Sequence, residues 1–340
     1  MDLKVAIGEV INGRSLTFEQ AEAAMRVIME GEATPAQIGS YLTALRMKGE
    51  TAEEIAGSAQ AMRAHLVPVE VELAEGEMLL DTCGTGGDGR HTFNISTTAA
   101  FVVAGAGAKV AKHGNRAASS RSGSADLLMA LGGNLDLTPA QVAACVAEVG
   151  IGFLYAINHH PAMRHAIGPR REIGQRTIFN ALGPLTNPAR ATHQLLGVYD
   201  PALTEPMAQV LGKLGSQAAY VVYGADGLDE LSTTGVNRVS WLVDGRVTSF
   251  DLDPANLGFA RANLADYAGG LPEENGAITA AILQGKEAGP RRDVVLLNAA
   301  AALSAGSGDW QAGLTQARRS LDSGAAWETL QKWVEMTQTL

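Results

Sequence analysis

Cysteine is almost missing from this chain, which has Cys83 and Cys145 in 340 residues. Two thiols make no disulfide framework, and neither stands at zinc-finger spacing from another Cys or a His. Reduced thiols in a cytoplasmic protein are the expectation. Long apolar runs are missing too: no stretch of about 18 such residues occurs, and the opening MDLKVAIGEVINGR lacks a basic segment, an apolar core and a cleavage site. No membrane insertion and no export are expected. Positive charge is also short, with 26 Lys+Arg against 36 Asp+Glu and a net charge of −10. Binding nucleic acid without regard to sequence needs a surplus of cations to displace counterions, so this balance argues against such a partner. Aromatic residues reach only 5%, and no repeat or low-complexity tract interrupts the chain.

What is plentiful is apolar material and glycine. Hydrophobic residues at 46% supply a substantial core, and 39 glycines in a chain poor in aromatics point to tight backbone turns. Single cores stop growing at roughly 250 to 300 residues, so two domains are expected.

The first seventy residues read as successive helices, each opened by a capping box: Thr17 with Gln20, Thr34 with Gln37, Thr51 with Glu54. Apolar residues follow at helical spacing, as in Phe18, Ala21, Met25 and Ile28, then Ile38, Tyr41, Leu42 and Leu45, then Ile55, Ala59, Met62 and Leu66. This predicts a helical domain over residues 1–70. Pro68 and the alternating Val/Glu pattern of PVEVELAEGEM (68–78) break the period and mark the junction. Beyond it, residues 71–340 read as α/β with a mostly parallel sheet, because short apolar runs alternate with helices. Strands are expected at 78–83, 108–111, 194–199 and 218–224, and VSWLVDGRVTSF reads as a hairpin turning at Asp244-Gly245. Helices are expected from about Asn94 to Val103, from about Gly123, and after the box Thr138 with Gln141. Ligands of such sheets collect beyond the carboxyl ends of the strands.

The loop Gly84-Thr85-Gly86-Gly87-Asp88-Gly89 follows the first of these strands. Its glycines suit close approach of backbone amides to a ligand, or simply a tight turn. It also satisfies GxGxxG, yet the helix that should open at once and the acidic residue about twenty positions later are both missing, which disfavours a dinucleotide. From Arg90 to Ala125 there is no Asp or Glu, while Arg90, Lys109, Lys112, Arg116 and Arg121 supply cations. A local basic cleft for a polyphosphate follows. Asn94-Ile95-Ser96-Thr97 then puts hydroxyls and free amides at a helix N-terminus, which favours anions. Further on, Asp226, Asp229 and Glu230 follow a strand, as a solvated turn or, facing polyphosphate, as oxygen ligands for Mg²⁺. His159, His160 and His165 have no Cys or carboxylate at ligand spacing, and His160 reads better as a pocket residue. Arg170, Arg171, Glu172 and Arg176 read either as a salt-bridged helix face or as an anion-recognising set.

With these residues laid out, the chain resembles the anthranilate phosphoribosyltransferase family over nearly its whole length. The resemblance rests on GTGGD at 84–88 and NIST at 94–97, KHGNR at 112–116 and GSAD at 123–126, then HHPAM at 159–163, RTIFNALGPLTNP at 176–188 and GLDE at 227–230. It implies a nucleoside phosphorylase/phosphoribosyltransferase-like fold, a homodimer, and helices from about 165–190 joining the helical domain. It implies a phosphoribosyl pyrophosphate (PRPP) site made by Gly84, Gly87, Asp88 and Thr92, by Asn94, Ile95, Ser96 and Thr97, by Lys112, His113, Gly114, Asn115 and Arg116, and by Ala117, Ala118, Ser119, Ser120 and Ser124. Two Mg²⁺ ions would be served by Ser96, Asp229 and Glu230, and anthranilate would pass Gly84, Asn115, His160, Arg170 and Pro184. Two departures touch the acceptor side: Ile157 replaces a common proline, and Gly168-Pro169 precedes Arg170 where valine is usual. The pyrimidine nucleoside phosphorylases are the alternative, as is a non-catalytic relative that binds nucleic acid. No catalytic base is singled out, although His113 is a candidate proton acceptor.

Overall fold

The computed structural model describes residues 2–117 and 121–340. Four helices open the chain: α1 (Leu3–Ile11), α2 (Phe18–Met29), α3 (Pro35–Lys48) and α4 (Ala52–Ala64). All three expected capping boxes form. In the first, Thr17 Oγ1 accepts from Gln20 N at 3.3 Å and Gln20 Oε1 from Thr17 N at 3.0 Å. Such caps contribute about 1 kcal/mol each by satisfying amides that the helix leaves unpaired. The third box does more than its sequence suggests. Glu54 is fully buried, and its carboxylate accepts from Leu16 N at 3.0 Å and from Lys48 Nζ at 2.8 Å. One side chain thereby knots the α1–α2 loop to the end of α3 and the start of α4. The expected apolar faces are buried, except that Phe18 at the start of α2 is half-buried and Leu66 falls beyond the end of α4 and is half-buried too.

The segment 68–78 forms neither helix nor strand. It is preceded and pinned by Val67 N donating to His159 O at 2.8 Å and Val69 N to Pro188 O at 3.1 Å. Then come β1 (Leu79–Gly84), α5 (Ile95–Gly105), β2 (Lys109–Gly114), α6 (Ser124–Ala130), α7 (Pro139–Val149) and β3 (Ile151–Tyr155). Next, α8 (Ala156–His159), α9 (Arg164–Ile173) and α10 (Ile178–Leu182) leave the sheet. Ala166, Ile178, Phe179 and Leu182 from this excursion share one apolar cluster with α1 to α4. The chain returns through β4 (His193–Gly197), α11 (Thr204–Lys213), β5 (Ala218–Tyr223), β6 (Asn237–Val243) and β7 (Arg246–Leu252), and ends in α12 (Pro272–Leu283), α13 (Pro290–Ser304), α14 (Trp310–Asp322) and α15 (Ala325–Thr339).

The sheet order is β3-β2-β1-β4-β5-β6-β7, with β1 to β5 parallel and β6 and β7 antiparallel. The hairpin turns at Asp244 (φ 49°) and Gly245 (φ 71°), the left-handed pair that a two-residue type I′ turn requires. Strand β5 is buried on both faces, as parallel sheets demand. Tyr220 and Val222 face a core with α5 and α13, whereas Ala219 and Val221 face α11 and the helical bundle. Sequence periodicity passes over β3 and the last four helices. Order reverses between β1 and β4, which places the topological switch point beyond Gly84 and Gly197.

Candidate active site

Gly84 and Gly197 are register partners at the ends of β1 and β4. A Cβ on Gly84 would overlap Asp229 Oδ2, and one on Gly197 would overlap the Asp229 carbonyl. Only glycine at both positions lets Asp229, from the loop after β5, lie across these strand ends. There Asp229 Oδ2 accepts from Gly86 N at 2.6 Å, and Glu230 Oε1 accepts from Ser96 N at 3.1 Å in the first turn of α5. Two amides suited to an anion are thus held by carboxylates of the same chain. Burial raises the pKa of Asp229, and the charge of Asp88 adds to it; burial and then Asp229 raise that of Glu230. A cation would relieve this crowding.

Lys112 supplies one. It is 3% exposed, its Nζ donates to Thr82 O, and its charge opposes the upward shifts of both Glu230 and Asp81. Asp81 lies beneath in β1, fully buried, accepting from His113 N at 3.2 Å and from Asn187 Nδ2 at 2.8 Å. These contacts fix the end of β2 from below. Above it, Asp126 Oδ2 accepts from Ala117 N at 2.9 Å and Gly123 N at 3.0 Å, and Arg116 Nε donates to Tyr155 Oη at 2.9 Å. The result is a cavity of about 330 Å³ lined by glycine backbone, hydroxyls and Lys112.

A second cavity, about 370 Å³, adjoins it and is lined by Met62, Ile157, His160, Met163, Arg170 and Phe179, among others. His113 and Asn115 line both. His113 Nε2 and His160 Nε2 are 3.1 Å apart. Arg170 lies 4.8 Å over the Phe179 ring, its pKa lowered by burial, with no carboxylate paired to it among the described residues. A half-buried guanidinium beside an aromatic ring suits an aromatic carboxylate.

Residues 4–66 match the family model of the glycosyl transferase family, helical bundle domain, and residues 76–327 that of the glycosyl transferase family, a/b domain. The anthranilate phosphoribosyltransferase of Moorella thermoacetica is 56% identical over 338 residues, 98% of each chain. The solved structure of the Thermus thermophilus anthranilate phosphoribosyltransferase has a TM-score of 0.92 at 45% identity, covering 98% of this chain and 99% of that one. That of the Saccharomyces cerevisiae enzyme in complex with PRPP and Mg has a TM-score of 0.90 at 31% identity, covering 99% and 98%. This chain belongs to the anthranilate phosphoribosyltransferase family.

In this enzyme the first cavity brings together Gly84, Gly87, Asn94, Ser96, Thr97 and Lys112 with His113, Gly114, Asn115, Arg116, Ala117 and Ser124, and also Asp229 and Glu230. Ala118, Ser119 and Ser120 lie outside the described residues. Other residues of the expected set stand elsewhere: Asp88 borders a neighbouring opening, Thr92 bridges to Ala268, and the Ile95 side chain is buried in the core. Pro184 is buried in a 3-10 turn, Gly183–Leu185, of which Gly183 reaches the second cavity. Ile157 stands 61% exposed at that cavity, whereas Gly168 does not line it.

The expected basic cluster is smaller than its sequence suggests. Lys112 and Arg116 reach the cavity, but Lys109 donates to Val146 O (3.1 Å) and Ala147 O (2.6 Å), neutralising the end of α7. Arg90 packs against Gly227, and Arg121 is exposed outside the cavity lining. Nor do the arginines of 170–176 form one helix face. Arg170 and Arg171 are on α9, but Arg176 lies beyond its end, with Nη2 donating to Gly87 O and its guanidinium 4.1 Å over the Tyr199 ring. Sequence reasoning missed Asp81, Asn187 and Tyr199. A carboxylate inside a strand read as buried is the one signal that pointed to Asp81.

Proposed function

We propose that the enzyme joins the amine of anthranilate to C1 of the ribose of PRPP, giving N-(5-phosphoribosyl)anthranilate and releasing pyrophosphate, a step of tryptophan synthesis. The observation that carries this reading is the pair of adjoining cavities, one polar and glycine-lined at the strand ends, the other apolar with an uncommitted guanidinium. His113 and Asn115 stand where they meet. An aromatic amine is largely unprotonated at neutral pH, so no base is needed before attack. After attack the nitrogen is strongly acidic, and neutral His113 stands nearest the junction to take its proton. Holding two reactants in line supplies roughly 7 to 11 kcal/mol otherwise lost to entropy.

Ser96, Asp229 and Glu230 would hold two Mg²⁺ ions. The donor set fits: hard oxygens, and two carboxylates crowded enough to have raised pKa values. Magnesium commonly completes such a set with phosphate oxygens and water. When bound, it would stabilise charge on departing pyrophosphate. The backbone of Gly84 and Gly87 and the hydroxyls of Ser96 and Thr97 would orient the phosphates, and Lys112 adds a buried charge.

The oligomer we propose is a homodimer through the helical bundle. Val5 and Ile11 on α1 and Met47 near the end of α3 are 54%, 66% and 84% exposed, an apolar area that a second copy would cover. No helix among the described residues is long and apolar enough to cross a membrane, and the two free thiols suit the cytoplasm. The deciding experiment is product fluorescence with anthranilate, PRPP and Mg²⁺. Turnover is expected there, and turnover of thymidine and phosphate instead would establish the phosphorylase reading.

A further inference from the structure

At the opposite rim of the sheet, where β4 and β5 begin, a cavity of about 380 Å³ opens between α4 and the loops entering those strands. Its lining includes Arg63 and Arg190, with Gln60 and Ser216 beside them, and contains no carboxylate. Arg63, in the last turn of α4, donates through Nε to Leu185 O at 2.7 Å and through Nη1 to Leu214 O at 2.8 Å. Its Nη2 makes no hydrogen bond, and neither arginine has an ion-pair partner, among the described residues. Burial pushes the Arg63 pKa down to about 10, and the charge of Arg190 pushes the same way. Arg190 has φ 50°, a left-handed conformation costly for a residue with a side chain. Two like charges are therefore held together, one half-buried and one exposed on strained backbone, in a chain of net charge −10. An anion from solution would balance them.

We infer that this cavity binds a phosphate group, free or carried on a small molecule, between Arg63 and Arg190. Guanidinium groups present donors in a fork that fits tetrahedral oxyanions, and two of them balance a dianion. Gln60 and Ser216 add neutral donors, and the cavity has room for more than the phosphate itself. The site is separate from the transfer site. Strands of five or six residues at about 3.3 Å each put roughly 17 to 20 Å between the two rims. A bound phosphate would tie α4 to the α/β domain, and it does not depend on the reaction proposed above.

The test uses the full-length enzyme without pyrophosphate, which would itself compete for this cavity, and follows melting temperature against inorganic phosphate and against glycerol 2-phosphate; whatever the transfer site contributes is common to every variant compared. The wild type is expected to gain stability saturably. Arg190→Ala should need at least tenfold more phosphate for half the effect. Arg190→Glu, which sets a carboxylate against Arg63, should melt above Arg190→Ala without phosphate and lose the wild type's excess response. General salting effects move all three proteins alike, so the differences between them report the site. A response to inorganic phosphate alone assigns the site to the free anion, and a response to both assigns it to phosphate monoesters as well. No response by the wild type to either probe, or equal responses by all three proteins, would overturn the inference.

Discussion

His113 and His160 meet through their Nε2 atoms at 3.1 Å, with ring centroids 5.0 Å apart, in the wall shared by the two cavities. One ring donates and the other accepts, so the contact is made only while at least one is neutral. Burial and then His160 lower the pKa of His113, and burial and then His159 lower that of His160 to about 4. Unfolded histidines take up protons near pH 6.5, so this contribution is full above that pH and declines as pH falls towards 4. Asp229 and Glu230, with raised pKa values, act in the opposite sense, because the folded state binds their protons first. The effect is therefore read as a difference. His160→Gln should fall in melting temperature less steeply than wild type between pH 7 and pH 5, by a few degrees, measured by circular dichroism. Parallel curves would remove the pair from the acid response.

Asp229→Asn with Glu230→Gln keeps acceptors for Gly86 N and Ser96 N while removing two crowded charges. The double variant should melt higher than wild type without Mg²⁺, by about 1 kcal/mol or more in stability, because the repulsion costs the fold. Its activity should fall at least about 100-fold and recover partly at high Mg²⁺ by mass action. Retained activity with unchanged Mg²⁺ dependence would mark the pair as a solvated turn.

Arg170→Ala should raise the KM for anthranilate about 10- to 150-fold, the worth of a charge-assisted hydrogen bond of about 1.5 to 3 kcal/mol. The KM for PRPP should change little. Steady-state kinetics in both substrates check this, and equal effects on both would remove Arg170 from carboxylate recognition.

Two glycines beside Asp229 separate site geometry from folding. Gly84→Ala places a methyl against the Asp229 side chain, which can swing aside, so activity should drop at least about tenfold with the fold retained. Gly197→Ala meets the Asp229 backbone, which cannot, and should cost about 3 kcal/mol or more. Chemical denaturation and turnover of the two variants decide the matter.

Local chemistry made much of this readable in advance. Thr17, Thr34, Thr51 and Thr138 announce their helices because a capping box is contained within four residues. The Asp244-Gly245 turn is equally local. Burial is not, so Glu54 is legible as a cap but not as a buried hub, and Lys109 is legible as a cation but not as the partner of carbonyls 37 and 38 residues away. The strand Ile151–Tyr155 is short and starts directly after Gly150 (φ 92°) ends a helix, so no turn cluster sets it off. Arg176 reaches Gly87 across 89 residues, a contact no spacing rule contains.

The turn Gly183–Leu185 is held from two sides: Arg63 of the helical bundle grips Leu185 O, and Gln194 of β4 grips Pro184 O at 2.7 Å. It is a hinge plate bolted to both bodies, with Gly183 forming part of the acceptor wall. The phosphate cradle, by contrast, is cast mainly from the ends of neighbouring strands, with Arg176 and Asn180 reaching it from the other side. Were the two bodies to rock, the acceptor side would change most, a mould for the donor beside a jaw for the acceptor. Changes of acceptor preference should then arise as readily at Arg63 or Gln194, which set the jaw, as at residues that touch the aromatic ring.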